Sequence, residues 1–315
     1  MSETKVVVVT PVFNRREETL QCLKSLKRSN LDNICVHVIV VDDGSTDGTS
    51  KAIEEHFPDC EIIKGNGSLW YTAGTNVGIE KALTYDPDYI LAVNNDSIFD
   101  ANCVSSLVKC AETHERSVVG ALLLEWNIPH KVFQVAPRWE TSSGGYRHYR
   151  KQTVWTVPTR PFEVELIVGN CVLYPASAVR DVGLMNAKKF PQYGDAEYTP
   201  RMRKRGWRLL VEPRARVFCK PNDLVTGFRQ LPFWKKVSEL FLRDTGPYSL
   251  KRRFNMTVYG GPSKLRGLLA FNIFFIRKVL GRNIEGDWGM QQNEQPLSIV
   301  LADSVVNDRN LTKLG

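Results

Sequence analysis

Two short runs of almost purely β-branched residues, "KVVVVT" (Lys5 to Thr10) and "VHVIVV" (Val36 to Val41), constrain this chain more than any other feature. A strand with one face in water alternates apolar and polar residues. These runs do not alternate, so they read as strands buried on both faces, as in a parallel sheet. Between them, "EETLQCLKSLKRS" sets Leu20, Leu23 and Leu26 at helical spacing with charges between. The alternation continues. "TSKAIEEHF" (Thr49 to Phe57) reads as a helix, "EII" (Glu61 to Ile63) as a weak strand, "NVGIEKAL" (Asn76 to Leu83) as a helix and Tyr89 to Val93 as a strand. Strand and helix in turn argue for an open, doubly wound α/β sheet.

Further along, a helix is expected over Cys103 to His114 and a strand over "SVVGALLL". "SSGGYRHYRKQ" reads as a loop, "EVELIVGNCVLYP" as strand, and "ASAVRDVG" as a short helix ending on Gly183. After "WRLLVEPRARVF" the composition shifts, and Arg229 to Asn283 is basic and aromatic with helical patterning. A length of 315 residues, 43% of them hydrophobic, accommodates one large α/β domain with an appendage. The expected division is residues 1–220 and a mainly helical region at 221–315.

Residues 201–285 hold 20 Lys or Arg against 5 Asp or Glu, whereas the remainder holds 22 against 29. Such a basic block suggests an anionic partner met by one region. Seven scattered cysteines without a CxxC pair read as reduced thiols in the cytoplasm and speak against zinc. The opening "MSETKVVVVT" reads as a first strand, not a signal peptide. "GLLAFNIFFI" (Gly267 to Ile276) is too short for a membrane-spanning helix.

Ligands of open parallel sheets sit beyond the carboxyl ends of the strands. Four polar clusters fall there: "TPVFNR" (Thr10 to Arg15), "DDGSTDGT" (Asp42 to Thr49), "GNGSLWYTAGTNVG" (Gly65 to Gly78) and "NND" (Asn94 to Asp96). Turn formation explains any one of them, because Asn and Asp side chains bond nearby backbone. Four at one edge build a pocket.

The stretches "TPVFNR", "VVDDGSTDGT", "NVG", "NND" and "GDAEYTPRMRKRGWRL" resemble the family 2 glycosyltransferases, inverting enzymes of the GT-A fold. "NGSLWYTAGTNVGIEKA" further resembles bacterial rhamnosyltransferases that use dTDP-rhamnose. The resemblance implies a Rossmann-like, mostly parallel sheet with a C-terminal helical appendage. It also implies a nucleotide-sugar donor and a saccharide acceptor on a lipid carrier, in bacterial polysaccharide synthesis. By resemblance, Asp43 accepts the imide N–H of thymine or uracil with Asp42 nearby, and Thr10, Pro11 and Val12 line the base. Asn14, Arg15, Gly67, Trp70, Asn76, Asn94 and Asn95 complete the donor side. For Asp42 and Asp43, helix capping is the competing reading, which Thr46 or Asp47 would serve more simply. Trp70 and Tyr71 fit a core role as readily as stacking on base or sugar.

Relatives carry Asp-x-Asp or a similar motif where this chain has Asn94-Asn95-Asp96. By resemblance Asp96 binds a divalent metal, Mg²⁺ or Mn²⁺, which takes oxygen ligands and offsets charge on the departing diphosphate. Many relatives have a second metal ligand, a His after the last strand. Here Cys219 and Lys220 stand there, and Lys220 could meet phosphate directly. Asp195 is the expected catalytic base, with Glu197 and Arg201 at family spacing and Gly194 in place of a Glu. Two neighbouring acids could raise each other's pKa, or merely favour a helix N-terminus. Pro200 argues that the helix begins near Thr199, leaving Asp195 on a loop. Gly169 and Asn170, with Glu197 and Arg201, are expected on the acceptor side. A plain strand bulge is the alternative for Gly169 and Asn170.

A dinucleotide oxidoreductase is disfavoured because "TPVFNR" lacks GxGxxG, and an EF-hand because "DDGSTDG" lacks its ligand spacing. A non-catalytic nucleotide-sugar binder is the remaining rival. "FRQLPFWKKVSELFLR", with Phe228, Leu231, Phe233, Trp234, Val237, Leu240 and Phe241, and "SKLRGLLAFNIFFIRKVLGR" have the composition of interfacial helices. They imply the cytoplasmic face of the inner membrane. Packing on the catalytic domain or in a homodimer is the alternative, and nucleic acid is not expected.

Overall fold

The structure, a computed structural model, describes residues 3–135, 138–147, 152–220, 230–243, 246 and 248–279. Phe228, the expected boundary at 220/221 and residues 280–315 lie outside the described residues.

The two valine-rich runs form β1 (Thr4–Val12) and β2 (Ile34–Asp42), paired in parallel and joined through α1 (Arg16–Lys27). After β2 come α2 (Thr49–His56), β3 (Glu61–Lys64), α3 (Trp70–Leu83), β4 (Tyr89–Val93), β5 (Ser97–Phe99) and α4 (Cys103–Thr113). The second half contributes β6 (Ser117–Glu125), β7 (Val132–Gln134), β8 (Arg138–Glu140), β9 (Gly145–Arg147), β10 (Phe162–Glu163), β11 (Cys171–Pro175) and α5 (Ala176–Val182). It closes with α6 (Asp195–Lys204), β12 (Arg208–Cys219), α7 (Phe233–Val237), α8 (Leu250–Val258) and α9 (Lys264–Val279).

The main sheet runs β10-β12-β6-β11-β4-β1-β2-β3, with β5 on β12 and β7 on β6. Strands β4, β1, β2 and β3 are parallel, as are β6 and β12, and the antiparallel β11 separates these two blocks. Side-chain alternation along β1 splits the core. Val7 and Val9 pack with Ile79 of α3, whereas Val6 and Val8 face the layer of Leu26 and Leu107 from α1 and α4. Both faces are covered, as the unalternating sequence requires.

Two elements depart from the sequence reading. The α3 helix begins at Trp70, not Asn76, so most of the polar cluster Gly65 to Gly78 is helical. Its small residues explain both facts. They carry little amphipathic signal, yet they let the helix lie close to the sheet: a Cβ at Gly78 would come within 2.2 Å of Val9 Cγ1. Likewise α6 begins at Asp195 and contains Pro200 in its interior, rather than starting near Thr199 with Asp195 on a loop. Pro200 has no N–H for the Ala196 carbonyl. That carbonyl instead abuts Gly260, where a Cβ would sit only 2.4 Å from the oxygen. Part of the stretch expected as loop forms the β8–β9 hairpin.

Helices α8 and α9 pack on α6 and on this hairpin. Lys204 Nζ donates to the Gly261 carbonyl (2.6 Å), and Tyr146 Oη donates to that of Gly260 (3.1 Å). All seven cysteines are unpaired. Among the described residues no helix is long and apolar enough to cross a membrane.

Candidate active site

A cavity of about 370 Å³ opens at the carboxyl edge of β1, β2 and β4. Pro11, Val12, Arg15, Asp43, Gly67, Trp70, Asn94, Asn95 and Asp96 line it, with Phe13, Tyr71 and Gln192.

Asp43, just past β2, organises one wall. Its Oδ1 accepts the Gly67 N–H (2.8 Å), and its Oδ2 accepts those of Leu69 (2.8 Å) and Trp70 (3.1 Å). Trp70 has φ +57° and leaves its side chain half exposed toward the cavity. Left-handed backbone at a bulky residue costs on the order of 1–3 kcal/mol. Hydrogen bonds to a charged acceptor contribute about 1.5–3 kcal/mol each, so three of them outweigh the strain. A carboxylate has about four acceptor sites. Three are occupied, and the free one is on Oδ1.

The opposite wall is the turn after β4. Asp96 Oδ2 accepts from Arg15 Nη1 (2.8 Å), whereas its buried Oδ1 has no partner among the described residues. The side-chain oxygen of Asn94 is also buried and unpartnered among the described residues. Asn95 turns inward and donates to Thr19 Oγ1 (3.0 Å). Two orphaned oxygens beside one cavity are costly unless a ligand meets them.

Asp195 stands at the start of α6, below the Gly169 peptide. Its Oδ2 accepts the Gly169 N–H (3.0 Å), and the Gly169 carbonyl accepts from Tyr71 Oη (2.9 Å). Because Tyr71 lines the cavity, this peptide ties Asp195 to the donor side. There is no room for a side chain here: a Cβ at Gly169 would lie 2.8 Å from Tyr71 Oη and 2.9 Å from Asp195 Cβ. Burial raises the Asp195 pKa above the ordinary carboxylate range, against the lowering pull of backbone N–H groups and Arg252. Burial also raises Glu197, opposed by Arg201. Desolvation, not the expected mutual repulsion, is therefore the leading cause for both acids.

Several expected site residues do other work. Thr10 is buried within β1. The Asn14 side chain accepts the Thr46 N–H (2.7 Å) and joins the loops after β1 and β2. Asp42 accepts from Ser45 N–H (2.9 Å) and Ser50 Oγ, so it holds the start of α2. Asn76 clamps both backbone groups of Met185. These four stand outside the cavity wall. Arg201 pairs with Glu197 (2.8 Å) and donates to the carbonyls of Val182 and Leu184, which fixes α6 to the end of α5. Asn170 accepts the Asn94 N–H at its carbonyl (3.0 Å), and its amide approaches Cys219 Sγ (3.7 Å). Burial pushes the Cys219 thiol up. Lys220 pairs with Glu18 (3.1 Å). Phe13 and Gln192 were not singled out in the sequence. Phe13 lies within "TPVFNR", though it was not itself given a role, and Gln192 belongs to none of the quoted motifs; the fold brings it to the cavity.

The "N-acetylglucosaminyl-diphospho-decaprenol L-rhamnosyltransferase" of Mycobacterium tuberculosis (strain H37Rv) is 23% identical over 203 residues. That match takes in 58% of this chain, which spans 66% of the relative's length. Among solved structures, GalNAc-T7 with UDP, GalNAc and Mn²⁺ superposes with a TM-score of 0.58 at 12% identity, over 88% of this chain and 56% of that one. S. aureus TarS 1-349 in complex with UDP superposes with a TM-score of 0.50 at 13% identity, over 88% and 72%. These likenesses support the GT-A fold already traced in the sheet. The profile of glycosyl transferase family 2 matches residues 7–181, more than half of the chain, which therefore belongs to that family.

Proposed function

We propose that the chain transfers a sugar from a nucleoside diphosphate donor, with dTDP-rhamnose as first candidate, to a saccharide hydroxyl, inverting the anomeric centre. The reading rests chiefly on one juxtaposition. A half-buried carboxylate with a raised pKa, Asp195, is tied through the Gly169 peptide and Tyr71 to a cavity lined by Asp43 and Asp96.

In this reading the free acceptor site on Asp43 Oδ1 takes the imide N–H of thymine or uracil, and Trp70 covers the base or ribose. The acceptor oxygen attacks the anomeric carbon from the face opposite the diphosphate. Its proton passes to Asp195 Oδ1 while Oδ2 keeps the Gly169 N–H. The bond from the anomeric carbon to the diphosphate oxygen breaks, and the diphosphate leaves with that electron pair. A base with a raised pKa suits this work near neutrality.

A divalent cation, Mg²⁺ or Mn²⁺, fits the Asn94–Asp96 turn, because two buried side-chain oxygens there lack partners and hard cations take oxygen ligands. Bound there it would offset charge on the departing diphosphate. Among the described residues no group of three His, Cys, Asp or Glu could hold a metal. Asp96 with Asn94 would thus supply the protein's share, completed by phosphate and water. Mn²⁺ in the GalNAc-T7 structure supports this.

The acceptor is a lipid-linked saccharide in bacterial polysaccharide synthesis, a reading supported by the diphospho-decaprenol in the mycobacterial relative's name. The GT-A unit comprises residues 1–220 and the basic appendage 221–315.

Calorimetry and hydrolysis with dTDP-rhamnose, UDP-sugars and GDP-mannose test the reading. Tight dTDP or UDP binding that weakens in Asp43→Ala, with slow donor hydrolysis, is expected. Preference for ADP or NAD would refute it. Binding without hydrolysis or transfer would leave a non-catalytic binder.

A further inference from the structure

Helix α9 is apolar on two sides, and the described residues cover only one. Gly267, Ala270, Phe271 and Phe274 face inward. A Cβ at Gly267 would come within 2.3 Å of the Thr257 carbonyl, Ala270 is fully buried, and Phe271 meets the Phe254 ring at 5.2 Å. The Arg253 guanidinium lies 4.4 Å over Phe274. On the other side Leu265, Leu268, Leu269, Phe275 and Ile276 are 40–69% exposed. At 3.6 residues per turn these five fall in one stripe, about a third of the circumference wide.

The charges around this stripe are one-sided. On the same helical spacing Lys264 borders one edge, and Arg266 and Arg277 border the other. The short α7 and the turn after it repeat the combination. There Phe233, Trp234, Phe241 and Leu242 are 63–79% exposed beside Lys235 and Lys236. From Phe233 to Val279 the chain holds ten Lys or Arg against two Asp or Glu.

We infer that the α7 and α9 faces form a docking surface for an anionic lipid bilayer. Leucine, phenylalanine and tryptophan enter the boundary between headgroups and acyl chains, while the flanking lysines and arginines meet lipid phosphates. A second copy of the chain fits worse, because a symmetric contact along the stripe would bring the two cationic borders against each other. The surface is distinct from the donor cavity, and its assignment does not depend on which nucleotide sugar is bound. It is rigidly related to the candidate base, however. Helix α9 packs on α8, whose Arg252 lies 3.6 Å over the Tyr193 ring, just before Asp195.

Flotation of the full chain with vesicles tests the assignment, using phosphatidylcholine alone and phosphatidylcholine with phosphatidylglycerol. Flotation is expected with the anionic vesicles only, weakened by high salt, which shortens the Debye length from about 10 Å at 0.1 M to about 3 Å at 1 M. Leu268→Glu/Leu269→Glu alters only exposed side chains, so its melting temperature and dTDP binding should match the parent. Its vesicle partitioning should fall at least about tenfold for each leucine lost from the lipid. Absence of flotation by the parent would overturn the inference, as would flotation that the double variant retains. A parent that stays with the soluble fraction as a dimer, which the variant dissociates, would assign the face to self-association. Because dTDP binding is read in the same samples, failure at the membrane is separable from failure of the donor reading.

Discussion

Gly194→Ala is the sharpest test of how Asp195 is held. Gly194 takes ordinary helical angles, φ −60° and ψ −34°, so an added methyl meets no backbone strain of its own. It meets a wall. The new Cβ would lie 2.6 Å from Thr72 Cγ2 and 2.9 Å from both Thr72 Oγ1 and Met185 Sδ, whereas ordinary contacts begin near 3.4 Å. Met185 can yield, because its thioether is flexible. Thr72 cannot: it is fully buried in α3, and its Oγ1 accepts the Gly194 N–H at 3.1 Å. The N-terminus of α6 must therefore retreat by something under 1 Å, which stretches that hydrogen bond. Overpacking of this kind costs about 1–3 kcal/mol, and the weakened hydrogen bond about 0.5–1.5 kcal/mol more. Asp195 is the next residue, and its hold on Gly169 moves with it. Urea denaturation should show a loss within that range, and kcat should fall while dTDP affinity, which we propose is set at Asp43, stays near its parent value. Unchanged stability together with unchanged kcat would refute the packing argument.

Asp195→Asn should bind donor and lose about 10²–10⁴-fold in transfer. In the parent the rate should climb with pH through a midpoint above the usual Asp value of about 3.9, because burial raises this pKa. Stability follows from the same sign: the contribution of the protonated acid is complete below about pH 3.9 and is lost as pH rises through the folded value. Denaturation midpoints of Asp195→Asn across that acid window should consequently fall less with rising pH than the parent's. Asp96→Ala should lower turnover by about 100-fold or more and abolish any stimulation by Mn²⁺, with circular dichroism unchanged; full activity in chelator would remove the metal from the mechanism. Tyr71→Phe deletes the hydrogen bond to the Gly169 carbonyl, so kcat should fall roughly 2- to 12-fold with little change in donor KM. An effect on donor KM alone would make Tyr71 a stacking residue and not a positioning one.

The parallel half of the sheet was legible because β-branched runs buried on both faces have no other comfortable place. The site was legible only as motifs. Asp43 and Asp96 line the cavity as expected, yet other polar residues of the quoted motifs, Asp42, Asn14 and Asn76, spend their polar groups on backbone that holds loops in place. Residue type cannot separate these roles, since an Asp that caps a loop and an Asp that faces a ligand are the same letter. The start of α3 was hidden for the opposite reason. Thr72, Gly74 and Thr75 lack the apolar periodicity of a helix because their task is close approach to β1. Gln192 reaches the cavity from a segment distant in sequence, and no local pattern announces it, whereas Phe13 comes with the "TPVFNR" motif without a polar group to mark it.

The carbonyl that Pro200 leaves free has an evolutionary and practical corollary. The Ala196 oxygen lies close against the Gly260 backbone, so the helix bearing Asp195 is covered there by the C-terminal part of the described chain. Grafting a foreign C-terminus onto this catalytic unit would bare that oxygen unless a glycine came with it at the same place. Chimeras should for that reason be cut so that Pro200 and Gly260 always travel together, as one inherited pair.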